Sequence, residues 1–143
     1  MTRSMTRWAL AGLMALAALG VVSAPVQADP QANPFAGSWS GTWSHVGEDV
    51  VGTWTDWTIS DAGRITGTFY SLTNSFGGTI EGHVRADGIL MFVGNAPSDT
   101  PSEDHGAYPL EGRAVIDGDG HLVVSVTGTW SGAFSLVGIL ARD

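Results

Sequence analysis

The chain has 143 residues, of which 43% are hydrophobic and 14% charged, with no cysteine, no lysine and a formal charge of −8. Beyond residue 28 only Arg64, Arg85, Arg113 and Arg142 stand against all fourteen carboxylates, a formal charge of −10. That surface repels phosphate backbones and anionic lipid, so nucleic acid and a membrane surface are excluded as expected partners. Absent lysine removes Schiff-base and lysine general-base chemistry, and absent cysteine removes both disulfides and a bacterial lipoprotein's lipidation site.

In chain order, Arg3 and Arg7 precede an apolar run from Trp8 to Val22, followed by Val26-Gln27-Ala28 with small residues where a signal peptidase needs them. The pattern predicts a signal peptide over 1–28, cleaved near Ala28, and hence a secreted or periplasmic protein. Gly12 and Gly20 interrupt the run, which falls short of the ~20 residues of a spanning helix, so no membrane anchor is expected after processing. Residues 29–36 read as an N-terminal extension and 37–143 as a single domain; 143 less 28 leaves 115 residues, enough for one core held by packing and sheet hydrogen bonds.

From Gly37 onward apolar and polar residues alternate, without a helical period, and turn signals recur after roughly ten residues. The expected strands run Gly37 to His45, Gly52 to Ser60, Arg64 to Asn74, Thr79 to Arg85, Ile89 to Gly94, Ala107 to Ile116, His121 to Trp130 and Gly132 to Arg142. The turns between them include Ser75-Phe76-Gly77-Gly78 and Asp117-Gly118-Asp119-Gly120. Within the strands one motif repeats, as in Ile65-Thr66-Gly67-Thr68-Phe69, Ile80-Glu81-Gly82-His83-Val84, Leu110-Glu111-Gly112-Arg113-Ala114 and Val126-Thr127-Gly128-Thr129-Trp130. Side chains alternate faces with period two, so each glycine shares a face with large apolar residues, and Thr, Glu, His or Arg take the other. A tapering, strongly curved interior needs that mixture, which points to a small eight-stranded antiparallel up-and-down β-barrel, with a β-sandwich as the alternative.

The first strand puts Phe35, Gly37, Trp39, Gly41 and Trp43 on one face and Ser38, Ser40, Thr42 and Ser44 on the other. Gly37-Ser38-Trp39 and Gly41-Thr42-Trp43 resemble the glycine-x-tryptophan signature of the calycin-type barrels, the lipocalins and avidins. Gly63-Arg64-Ile65-Thr66-Gly67-Thr68-Phe69 is similar to an avidin-type strand. The resemblance implies a barrel closed at one end by Trp39 packed under Arg142, and a cavity for a small apolar or aromatic molecule. Where an avidin offers an asparagine to biotin this chain has Ser44-His45, so biotin is not implied. The later lipocalin motif and C-terminal helix are not evident.

The expected function is therefore small-ligand binding without catalysis, with Trp39, Trp43, Trp57, Phe69, Phe92, Trp130 and Phe134 lining the cavity and the first-strand tryptophans nearest the closed end. A filled core built from the same residues is the competing account. An exported interaction or inhibitor module using its loops is the alternative function, with the segment from Asn95 to Gly106 as contact surface or as a lid. A small-molecule isomerase or cyclase on the same barrel comes third, because no glycine-x-serine-x-glycine elbow or paired inward carboxylate is present, and Glu81 and Glu111 face outward by alternation.

No cofactor or metal is expected. Asp117-Gly118-Asp119-Gly120 reads as a hairpin turn more readily than as a calcium loop, and His45, His83, His105 and His121 lack ligand spacing. Asp56 is ambiguous: with Trp54 inward it would be a carboxylate in an aromatic cavity, with Trp57 and Ile59 inward it would be in water and Trp54 on the surface. Ile89-Leu90-Met91-Phe92-Val93 and the Leu122 to Val126 run are apolar on both faces, which makes a homo-oligomer a possible partner arrangement.

Overall fold

The computed structural model describes residues 32–97, 106–129 and 132–143. The expected signal peptide, the segment 98–105 of the long connection, and Trp130 lie outside the described residues. Eight strands follow in order: β1 (Gly37–His45), β2 (Val51–Ile59), β3 (Arg64–Ser71), β4 (Phe76–Val84), β5 (Ile89–Ala96), β6 (Gly106–Ile116), β7 (Leu122–Thr129) and β8 (Ala133–Arg142). Each pairs antiparallel with the next, and β8 pairs back onto β1 from Trp39 opposite Arg142 to His45 opposite Leu136, so the sheet closes. That seam removes the free edges a sandwich would keep. The described residues form an all-β, closed, eight-stranded antiparallel up-and-down barrel.

The repeated glycine motif has its cause in the register. Across neighbouring strands an inward glycine stands beside a large inward side chain: Gly52 and Gly138 flank Trp43, Gly78 pairs with Phe69, Gly67 and Gly94 flank Ile80, and Gly82 pairs with Phe92. Each such glycine is filled by its neighbour; a Cβ on Gly138 would stand 2.1 Å from the Trp54 ring and one on Gly67 2.5 Å from the Trp57 ring. Tryptophans fit inside so narrow a barrel because the adjacent strands give up their side chains at those positions.

One boundary differs from expectation. Phe76-Gly77-Gly78 opens β4 rather than turning the chain, and the turn falls instead at Leu72 to Ser75. Ser71 Oγ accepts the Asn74 N–H at 3.2 Å, Ser71 O accepts the Ser75 N–H at 2.8 Å, and Ser75 takes a left-handed φ of 57°. The two glycines are needed as small residues beside Phe69 and Tyr70, not as turn formers.

On β2 the second alternative holds for Trp57 and Ile59, which are inward, and for Asp56, which is in water, but Trp54 is inward as well and not on the surface. Between Thr55 and Thr58, three steps on β2 match two on β3, Thr68 to Thr66, and between Trp54 and Trp57 three steps match two on β1. The extra residue is a β-bulge that resets the alternation, so Trp54 and Trp57 both point inward, 2% and 0% exposed, while Asp56 faces water. Asp56 has φ 54°, a left-handed conformation that aspartate and asparagine tolerate better than most residues. Outside, Thr55 and Thr68 pin the bulge through a 2.7 Å contact between their hydroxyls. Asp56→Asn should leave stability nearly unchanged, whereas Asp56→Val should cost about 1–2 kcal/mol in urea unfolding because a β-branched residue resists this φ.

The core runs the length of the barrel, with Ile59, Ile65, Ile80, Val84, Leu90, Leu122, Val124, Val126 and Leu140 packed around the tryptophans. The outer wall carries Ser, Thr, Glu, His and Arg, including exposed Glu81, His83 and Glu111, the reverse of the apolar outer band of a membrane-spanning barrel. Exposed apolar side chains on it include Val51 of β2, Tyr70 of β3, Ile89 and Met91 of β5, and Val115 and Ile139, the last two in register on either side of half-buried Val123.

Candidate functional site

The two ends of the barrel differ. At the end holding the first residue of β1, the segment before it folds across the opening: Asn33 is buried, its Nδ2 donates to Val84 O at 2.8 Å, and its Oδ1 accepts the Phe35 N–H at 2.9 Å. Phe35 is thereby held in the barrel mouth and joins the core cluster. Trp39 Nε1 donates to Phe35 O at 2.9 Å, and the Arg142 guanidinium lies 4.2 Å from the Trp39 ring centroid while its Nη1 donates to Ala36 O at 3.0 Å. Gly37, at φ 141°, leaves room for this; a Cβ there would stand 2.5 Å from Arg142 Nη1. Cation–π contact and a hydrogen bond thus tie β8 over β1 at this end.

Above Trp39 the interior is filled by a stack of rings. Trp54 and Trp57 are 4.9 Å apart, and Phe92 meets them edge-on at 5.8 and 5.3 Å. Trp57 Nε1 is buried and, among the described residues, has no acceptor.

Toward the other end the filling stops and a cavity of about 270 Å3 opens. Trp43, Trp54 and Phe92 bound it together with Ile80, Leu110 and Leu136. A collar of rings surrounds its mouth: Phe69, Phe76 and Tyr108 contact one another at 6.0 to 6.4 Å on one side, and His45 stacks on Phe134 at 5.2 Å and 20° on the other. Polar groups at the rim are Glu48, Ser71, Asn74 and His45, whose Nδ1 lies 3.5 Å from Glu48 Oε2. The connection between β5 and β6 leaves from this rim after Ala96 and returns to it at Gly106; the expected lid or contact loop within it falls largely on residues outside those described.

Of the residues expected to line a cavity, Trp43, Phe69, Phe92 and Phe134 do so. Trp39 and Trp57 are fully buried below and are not part of its wall. Trp130 lies outside the described residues. Trp43 is not near the closed end: four residues beyond Trp39, it is displaced by about 13 Å along the strand toward the mouth. The wall also contains Phe76, Tyr108 and His45, which the sequence reading left out, and Trp54, which only one of its two alternatives put inward. Two tryptophans three apart in a strand, with an aspartate between, were the available signal for Trp54, because both can face inward only across a bulge.

At the opposite end, Asp117, Asp119 and His121 bring three donor atoms within 4.8 Å of one another. Asp117 Oδ1 accepts the backbone N–H groups of Asp119 and His121, both at 2.9 Å, which makes its carboxylate the cap of the β6–β7 turn. The His121 N–H, more than any other group, holds the Asp117 carboxyl below the usual aspartate range, with the Asp119 N–H and the His121 ring adding to it against a smaller opposing effect of burial.

Comparison with family models, with curated proteins and with solved structures returned no match.

Proposed function

We propose that this is an exported calycin-type barrel that binds a small apolar or aromatic molecule in its open end and performs no chemistry on it. The observation that carries the reading is the contrast within one interior: the lower part is packed solid with tryptophan, while the upper part, lined by the same kinds of side chain, is hollow. Ring faces and aliphatic walls with a few polar groups at the rim are what small-molecule sites present. A cavity of about 150 Å3 already holds benzene, so 270 Å3 suits a molecule of one or two rings and is too small for a long lipid. Among the described residues the lining's carboxylate and imidazole, Glu48 and His45, stand together at the rim, away from the cavity floor, which favours holding over transforming.

The test uses the tryptophans that bound the site. Titration with toluene and ethylbenzene should change the intrinsic emission saturably, because Trp43 and Trp54 border the cavity. Leu136→Trp places a large ring in that space and should weaken binding at least ten-fold, at a stability cost of about 1–3 kcal/mol from overpacking. A linear, non-saturating response in the parent protein would reject the reading in favour of the barrel as a scaffold.

A further inference from the structure

Accepting that the cavity binds a small molecule, we infer that its preferred ligand is an organic ammonium, a single cationic nitrogen on an apolar or aromatic body. The charge around the mouth is one-sided. Among the described residues that line the cavity the one carboxylate is Glu48, and no arginine is present. Lysine is absent from the whole chain.

The arginines beyond residue 28 are all engaged or placed elsewhere. Arg64 pairs with Glu81 at 3.3 Å, Arg85 with Asp87 at 2.8 Å, and Arg142 is stacked on Trp39 at the closed end. Arg113 projects from the outer face of β6. An anionic ligand would therefore enter a low-dielectric pocket with no counter-charge, beside a carboxylate, and would lose its hydration uncompensated.

A cation meets the opposite conditions. Trp43, Phe69, Phe76, Tyr108 and Phe134 line the cavity, and a nitrogen cation that reaches the face of such a ring is attracted by its quadrupole. Glu48 stands at the rim, 67% exposed, where it keeps its own hydration and can still accept from an ammonium held below it. It already leans toward a nitrogen, His45 Nδ1 at 3.5 Å, on the ring that stacks against Phe134. A ligand ammonium would join that pair from the cavity side. The net charge of −8 enriches cations near the mouth before any contact is made.

Three probes that share a phenylethyl body separate this inference from the binding reading it rests on: ethylbenzene, 2-phenylethylammonium and 3-phenylpropionate, titrated calorimetrically at one pH. The ammonium should bind about ten-fold more tightly than the hydrocarbon, and the carboxylate more weakly than either. Glu48→Gln should shrink the ammonium's advantage over ethylbenzene, measured in the same variant, to roughly three-fold, the part owed to the rings, because an exposed carboxylate contributes modestly. Ethylbenzene binding with no gain for the ammonium overturns the inference and leaves the cavity a neutral one. An unchanged advantage in Glu48→Gln removes the carboxylate from it. Absence of binding by all three probes defeats the binding reading itself.

Discussion

Replacing Trp54 by alanine should cost about 3–5 kcal/mol of unfolding free energy, and part of that loss should be recoverable with indole. Away from the cavity the ring is closely enclosed. Trp57 lies 4.9 Å away and Trp43 6.4 Å, Phe92 meets it at a right angle, and Gly138 abuts its six-membered ring so closely that a Cβ would overlap it. Neighbours that are themselves rigid rings on a closed sheet collapse poorly into a vacated space, which places the cost at the upper end for core truncations. Since Trp54 also bounds the cavity, its removal joins the vacated volume to the existing 270 Å3. Indole, which has the shape of what was removed, should then bind and stabilise the variant by about 2.7 kcal/mol at a hundred-fold excess over its dissociation constant. Urea unfolding with and without indole measures both quantities. A cost under about 1 kcal/mol, or equal stabilisation of parent and variant by indole, would mean that the ring does not separate core from cavity as described.

How much of this was legible in the sequence depends on whether a feature is periodic. The barrel was legible because alternation and the apolar-polar-glycine motif repeat in strand after strand, and only a curved, closed sheet needs glycine beside large residues so regularly. The contact of Arg142 with Trp39 was implied by the resemblance to calycin-type barrels, in which a last-strand arginine covers the first-strand tryptophan. Features decided by one residue were not legible. The bulge at Asp56 is a single left-handed φ, and period-two reading carried through it necessarily put one tryptophan on the wrong face. Phe76 was lost because Gly77-Gly78 has turn composition, and only the partner strand shows that those glycines accommodate Phe69 and Tyr70. His45 and Glu48 were unremarkable as isolated residues; the hairpin between β1 and β2 is what brings them together over the cavity.

At the seam between β1 and β8 a single methyl group should be costly. A Cβ on Gly41 would stand 1.9 Å from the carbonyl oxygen of Ile139 and 2.7 Å from the Leu140 Cα. Both are backbone atoms of the strand that closes the barrel, so no side-chain rotation relieves the overlap. The position also adjoins the irregularity between Trp39 and Gly41, where β1 bends to follow the bulge in β2. Gly41→Ala can be accommodated only by prising β1 from β8, and should cost about 3 kcal/mol or more, beyond ordinary overpacking and a large share of the ~5–15 kcal/mol that holds a domain of this size. Amides of β1 and β8 should lose hydrogen-exchange protection before those of β4 and β5. Gly118→Ala, in the Asp117 turn, is the matched control, since nothing lies within 4 Å of its added methyl and its φ is not positive. There the restriction of the unfolded chain should prevail and stabilise the protein by about 0.4–1 kcal/mol. The same chemical change is thus expected to have opposite signs at two glycines. Equal effects at both would show that the barrel is not closed by so tight a contact, and the hollow above Trp54 would lose the rigid wall that keeps it open.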